Sequence, residues 1–177
     1  MKNLFAFASL LIMFSFSGCN KDDDKPQNPV DQLPPATQTG AGTFGCLVNG
    51  VPFVDNSGFF NCFYQLVDGE YYFGIQAEDN VGNIAAIAIG SLQKDIVVGE
   101  IIPLNGRENN EFYALLDFNS LQQAGSTTDL EDGYIVFSQF STNTNLVSAT
   151  FEFTVTDPAT GIVYEITEGR FDALFTE

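Results

Sequence analysis

The sequence predicts an all-β protein, an antiparallel meander of about nine strands folded as a two-layer β-sandwich, with a closed barrel as second choice. Three observations lead there. From Thr43 to the C-terminus, short apolar stretches follow one another with no 3.6-residue apolar period. Turn signals such as Asn49-Gly50 and Asp68-Gly69 separate them. In the stretch Leu146–Thr156, Val147, Ala149, Phe151, Phe153 and Val155 share one parity, and Ser148, Thr150, Glu152, Thr154 and Thr156 share the other. One buried and one wet face is the mark of an antiparallel sheet. Short connections imply neighbouring antiparallel pairs, and 18 Phe with 6 Tyr provide bulk for a thick core.

Taken in order, the chain opens with a secretory signal over residues 1–18. Lys2 is the positive n-region, residues 4–16 are a short apolar run, and Ser17-Gly18 are small residues at a cleavage point. The run has 13 residues, short of the about 20 that a helix needs to cross a bilayer. Residues 19–42 carry an acidic cluster followed by Pro26, Pro29, Pro34 and Pro35 and read as a disordered tether.

A single β domain is expected over residues 43–177. TFGCLV and VPFV form its first hairpin, followed by FFNCFYQL and YYFGIQA. IAAIAIGS, IVVGEIIPL and EFYALLDF come next, and the polar stretch 119–132 is the least structured part. GYIVFSQF, LVSATFEFTVT and IVYEITEGRFDALF close the chain. In the last of these, Ile162, Tyr164 and Ile166 have one parity, whereas Phe171, Ala173 and Phe175 have the other. A one-residue slip turns side chains to the opposite face. A β-bulge near Glu168-Gly169-Arg170, with Gly169 as its natural residue, would keep both sets inward.

Composition excludes several functions. There are 6 basic and 23 acidic residues, for a net charge of −17, and no histidine. Beyond Thr43 only Lys94, Arg107 and Arg170 are basic, so the footprint that nucleic acid requires is missing. Without histidine there is no Ser-His-Asp or Cys-His arrangement and no imidazole ligand for zinc. Of three cysteines, Cys46 and Cys62 lie in the domain. Outside the inner membrane they can form a disulfide worth roughly 3 kcal/mol; two buried thiols are the alternative.

Candidate sites are few. The acidic loops Glu78-Asp79-Asn80 and Asp129-Leu130-Glu131-Asp132 lack EF-hand spacing and read as solvated loops, so no metal ligands are assigned. No carboxylate pair is marked for glycoside hydrolysis, and no catalytic residue or cofactor is expected. Arg170 and Asp172 have the parity opposite Phe171 and should face solvent, where Arg170 could grip a carboxylate ligand. The aromatics of FFNCFYQL and YYFG occupy both parities: one set is core, and the other is packing or a sugar-stacking or partner-binding surface.

Two resemblances add to this reading. Phe16-Ser17-Gly18-Cys19 resembles the lipobox of bacterial lipoproteins, which implies cleavage before Cys19 and acylation of its thiol and new amino group. An ordinary signal with an incidental cysteine is the alternative. Each buried methylene is worth about 0.8 kcal/mol, so two or three acyl chains hold a protein on a membrane firmly. Asn20-Lys21-Asp22-Asp23-Asp24 is similar to the export tag of surface lipoproteins of Bacteroidota, implying the cell surface rather than the periplasmic side of the outer membrane. TFGCLVNGVPF, LVSATFEFTV and ITEGRFDALF resemble a group of Bacteroidota lipoproteins carrying an all-β domain of unknown function. That likeness implies an anchored β domain and supplies no catalytic residues. The function expected is a lipid-anchored, non-enzymatic binding module for a glycan, a peptide or an outer-membrane protein. A carrier of a small apolar ligand inside a barrel cavity is the alternative.

Overall fold

The computed structural model describes residues 28–58, 60–79, 84–119 and 124–177. They form eleven strands in two antiparallel sheets packed face to face and not closed into a barrel. The strands are β1 (Thr43–Val48), β2 (Val51–Val54), β3 (Asn61–Val67), β4 (Glu70–Glu78), β5 (Ile84–Leu92), β6 (Ile102–Pro103), β7 (Glu111–Phe118), β8 (Gly125–Ser126), β9 (Gly133–Ser141), β10 (Leu146–Thr156) and β11 (Val163–Leu174). Sheet A has the order β2-β1-β11-β10-β9-β6, and sheet B the order β3-β4-β5-β7-β8.

Local sequence explains most of the connections. Asn49-Gly50 and Asp68-Gly69 both take positive φ (48° and 78°, 53° and 87°), as two-residue hairpin loops with the right twist require. The stretch IVVGEIIPL, expected as a strand, contributes only β6. Gly99 turns at φ 84°, Pro103 lacks an N–H, and Val97, Val98 and Ile101 are exposed while Ile96, Ile102 and Leu104 are buried. The segment is an excursion from sheet B to β9 of sheet A and back.

Phenylalanines fill the space between the sheets. Phe73 of sheet B lies 5.6 Å from Phe137 and 6.2 Å from Phe171 of sheet A, centroid to centroid, and Phe44 lies 5.2 Å from Phe151. Such pairs add about 0.5–1.5 kcal/mol each beyond area burial. Among the described residues, the open edges and filled centre leave no barrel lumen for the carrier reading.

The irregularity in β11 is a bulge. Phe151 pairs with Gly169 but Phe153 pairs with Ile166, and across the other ladder Gly45 pairs with Arg170 but Leu47 with Thr167. Ile166, Phe171, Ala173 and Phe175 are consequently all buried and Tyr164 is half-buried, whereas Ile162, before the strand begins, is exposed. The left-handed residue is Glu168 (φ 54°), not Gly169. Gly169 is needed for space instead: a Cβ there would lie 2.3 Å from the Phe151 ring.

Three expectations need correction. Residues 28–42 are not a disordered tether. A 3₁₀ turn, Pro29–Gln32, packs against β2; Leu33 is buried, and the Pro34 ring sits 2.5 Å from where a Gly45 Cβ would be. Asp172 does not face solvent. It is 1% exposed beneath this same segment, because β11's outer parity is covered by chain the strand pattern cannot reveal. Cys46 and Cys62 are not bridged. They are free, buried thiols on strands of different sheets, each packed in the apolar core.

Candidate binding face

The two outer faces of the sandwich are built differently. Directly paired residues of an antiparallel ladder share a face, so the registers define rows across sheet B. The central outward row is Phe63, Gly74, Gly90, Tyr113. Beside it run Gln65, Tyr72, Leu92, Glu111 on one side and Asn61, Gln76, Ala88, Leu115 on the other, the latter continued by Ser126. Solvent-facing positions carrying Phe, Tyr, Leu, Ala and Gly are the opposite of the Ser/Thr/Glu parity of β10.

The two glycines decide where the rings go. A Cβ on Gly74 would lie 2.4 Å from the Phe63 ring, and one on Gly90 would lie 2.8 Å from Tyr113 Oη and 3.0 Å from its Cζ. Phe63 and Tyr113 therefore lean inward from β3 and β7 across the bare backbone of β4 and β5. With strands about 4.8 Å apart, the rings form a low aromatic platform across the middle of the sheet. Phe63, Tyr72 and Tyr113 are all half-buried rather than covered.

Polar groups ring the platform. The Arg107 guanidinium stands 5.4 Å from the Tyr113 centroid, within cation–π range, and makes no ion pair among the described residues. Lys94 Nζ lies 3.4 Å from Glu111 Oε2, which also accepts a 2.9 Å bond from Asn105 Nδ2. Two of the three basic residues beyond Thr43 thus stand at this face. A shallow cleft of about 180 Å³ follows, lined by Gln76, Ala86, Ala88, Leu115, Asp117 and Ala124. Gln76 donates to Glu78 Oε1 at 2.9 Å, leaving its carbonyl oxygen to accept. Ser126 Oγ, beside Leu115, is buried with no hydrogen-bond partner among the described residues.

The outer face of sheet A is occupied by the chain itself. Residues 37–41 wrap the Asp172 carboxylate. Thr37 Oγ1 donates to it at 2.6 Å, Thr39 N at 2.8 Å, Thr39 Oγ1 at 3.1 Å, Gly40 N at 2.8 Å and Ala41 N at 3.2 Å; Ser148 Oγ donates from β10 at 2.8 Å. Burial alone would raise this carboxyl's pKa. The hydrogen bonds from Thr37, Thr39, Gly40 and Ser148 outweigh it and hold the group well below the usual carboxylate range. Beyond the strap lies a cleft of about 300 Å³ bounded by Ala36, Tyr134, Glu152, Glu168 and Arg170. Its groups satisfy one another. Arg170 donates to Glu168 Oε2 at 2.9 Å and to the Glu168 carbonyl at 3.0 Å. Partial burial, a hydrogen bond to Glu152 and the charges of Glu152 and Glu168 raise the Tyr134 phenol's pKa.

The residues singled out from sequence fall unevenly on this frame. Cys19 and the acidic cluster after it lie outside the described residues, as does Asn80. Asp79 is buried, with its oxygens accepting from Val54 N at 3.1 Å and Asn56 Nδ2 at 2.7 Å. Glu131 accepts from Thr156 at 2.7 Å. Arg170 is held by its own neighbour rather than free for a ligand. Of the two-parity aromatics, Tyr64 and Phe73 are core, and Phe63 and Tyr72 face outward. Tyr113, Ala86, Ala88 and the glycine pair were not singled out, because only strand register places them together.

This is a β-sandwich with one self-covered face and one open aromatic face. Compared with known proteins, the chain matches no family model, no curated protein and no solved structure.

Proposed function

We propose that the protein is a lipid-anchored, surface-exposed outer-membrane lipoprotein whose domain is a non-enzymatic binding module, with the outer face of sheet B as its binding face. The contrast between the two outer faces carries this reading. A row of half-buried rings over glycines, edged by amides, is an apolar surface of the kind that marks a contact site. On sheet A the strap covers the Asp172 side, and the cleft beside it is edged by the Arg170–Glu168 ion pair and the Glu152 carboxylate rather than by a row of rings.

The anchor sets the geometry. Residues 20–27 separate Cys19 from the first described residue, Asn28, which leads into the turn beside β2 at the edge of sheet A. At about 3.5 Å per residue an extended spacer of this length reaches roughly 30 Å. An anchor at Cys19 would keep the domain within that reach of the bilayer, attached beside β2 and away from the rings of sheet B.

Cell fractionation of Cys19→Ala tests the anchor, and a membrane-impermeant lysine or tyrosine label on intact cells tests the orientation. The mutant is expected in the soluble fraction or arrested before processing, and wild-type Tyr72 and Tyr113 are expected to label from outside. Membrane retention without Cys19, or labelling only after lysis, overturns the reading.

A further inference from the structure

We infer that the sheet B face binds a neutral glycan chain, one sugar ring lying on the Phe63–Tyr113 platform and a neighbouring unit settling in the adjoining cleft. This rests on the reading of the chain as a surface binding module and names the ligand class.

Shape comes first. A pyranose presents one broad face of C–H groups, which suits an aromatic surface of low relief, and Phe63 and Tyr113 reach over Gly74 and Gly90 where any larger residue would meet them. A bulky apolar partner protein would instead call for protruding anchors seated in pockets, which low rings on a glycine floor do not provide.

Polarity comes second. Sugar hydroxyls both donate and accept, and this face offers both sorts of partner within two rows of the rings. The Gln76 carbonyl and the Asp117 carboxylate accept in the cleft, while Arg107 donates from over the Tyr113 ring. Charge decides against an acidic polysaccharide. Lys94 is already paired with Glu111, which leaves Arg107 as the one free cation at this face among the described residues of a chain of net charge −17. The long-range field repels a polyanion.

Affinity electrophoresis and titration calorimetry of the whole mature lipoprotein in detergent provide the test. The probes are neutral glucans and mannans, a uronate polymer and a proline-rich peptide. Retardation by a neutral polysaccharide is expected, with Phe63→Ala and Tyr113→Ala each weakening binding roughly tenfold. Tyr113→Phe, which keeps the ring, should retain binding within about twofold. Gln76→Ala, at an exposed site, should weaken it roughly threefold to tenfold. Should Phe63→Ala fail to fold, Gln76→Ala and Tyr72→Ala decide. Binding only to the uronate polymer or the peptide, binding to none of the probes, or neutral-glycan binding untouched by these variants overturns the inference. Because the protein is purified, the outcome is independent of whether the cell places it on the surface. Failure here leaves the fractionation and labelling results standing, and the reverse also holds.

Discussion

Sheets A and B bury similar phenylalanines on their inner faces and solve the problem of their outer faces in opposite ways. Sheet A recruits distant chain: residues 33–41 lie across β1 and β11 and close on Asp172. Sheet B recruits its own side chains, laying Phe63 and Tyr113 over Gly74 and Gly90. A cover held by a buried carboxylate spends its polar groups on that carboxylate. A cover made of two half-buried rings protects backbone yet keeps an aromatic surface in contact with solvent. The difference separates the structural face from the face available for recognition.

The most direct way to break the comparison is to open the strap. Asp172→Ala would leave six hydrogen bonds from Thr37, Thr39, Gly40, Ala41 and Ser148 without their acceptor. Each buried donor left unpaired costs about 1–3 kcal/mol, and water entering beneath a loosened strap recovers part of it, so a loss of about 3 kcal/mol or more is expected. Denaturant unfolding measures the loss, and hydrogen exchange at residues 37–41 locates it. The pH dependence has a definite sign. The folded carboxyl has a depressed pKa, so its contribution is complete above the unfolded value of about 3.9 and is lost as pH falls through the lower folded value. Protection of the strap amides should hold from pH 7 to about pH 4 and decline only below. Amides at 37–41 that exchange freely at neutral pH would mean sheet A is as open as sheet B.

A second test compares one glycine from each face. At Gly169 an added Cβ meets the Phe151 ring at 2.3 Å and the Phe151 carbonyl at 2.5 Å, both fixed in the core or the ladder. Gly169→Ala is expected to cost about 1–3 kcal/mol as overpacking. At Gly74 the obstacle is the half-buried Phe63 ring, which can swing outward. There the strand gains roughly 0.5–1 kcal/mol from replacing glycine, so the net change should be near zero. Melting temperatures of the two variants give the ranking, and equal losses would show the platform to be as immobile as the core.

How far the sequence reveals these features follows from the range of the interactions. Alternation in β10 and the loops at Asn49-Gly50 and Asp68-Gly69 depend on neighbours within a few residues, and the two-sheet fold was legible from them. The parity conflict in β11 located the bulge correctly. Which residue took the left-handed turn was not legible, because the Phe151 ring over Gly169 comes from another strand. The burial of Asp172 is not legible for the same reason, since its partners at 37–41 are more than 130 positions away. Ser148 breaks the β10 alternation by being buried, and it does so to reach that same carboxylate. The aromatic platform was half legible: FFNCFYQL and YYFG pointed to an outward set, but only register brings Tyr113 and Gly90 beside it.

The bulge offers a smaller perturbation of sheet A. Glu168 holds φ 54°, a conformation that costs an L-residue about 1–2 kcal/mol and glycine almost nothing. Its side chain contributes one exposed ion pair to Arg170 at 2.9 Å, of a kind worth about 0–1 kcal/mol. Glu168→Gly should therefore change stability by no more than about 1 kcal/mol, toward greater stability. A large loss would mean that the Glu168–Arg170 pair, rather than the backbone, fixes the bulge.

The smallest expected effect is none. Cys46 lies in sheet A and Cys62 in sheet B, so a bridge between them would tie the two faces covalently and blur their independence. Both are free. Burial pushes the Cys62 thiol up to about 12 and the Cys46 thiol higher still, the latter despite the nearby Arg170 charge, so neither forms the thiolate that oxidation and exchange require. Adding reductant should leave the melting temperature unchanged. A maleimide should label neither thiol in the native protein and both once it is denatured without reductant. A melting temperature that falls on reduction would restore the bridge and with it a loop constraint of roughly 3 kcal/mol. The two sheets would then be joined by a bond as well as by the Phe73, Phe137 and Phe171 rings that already span them.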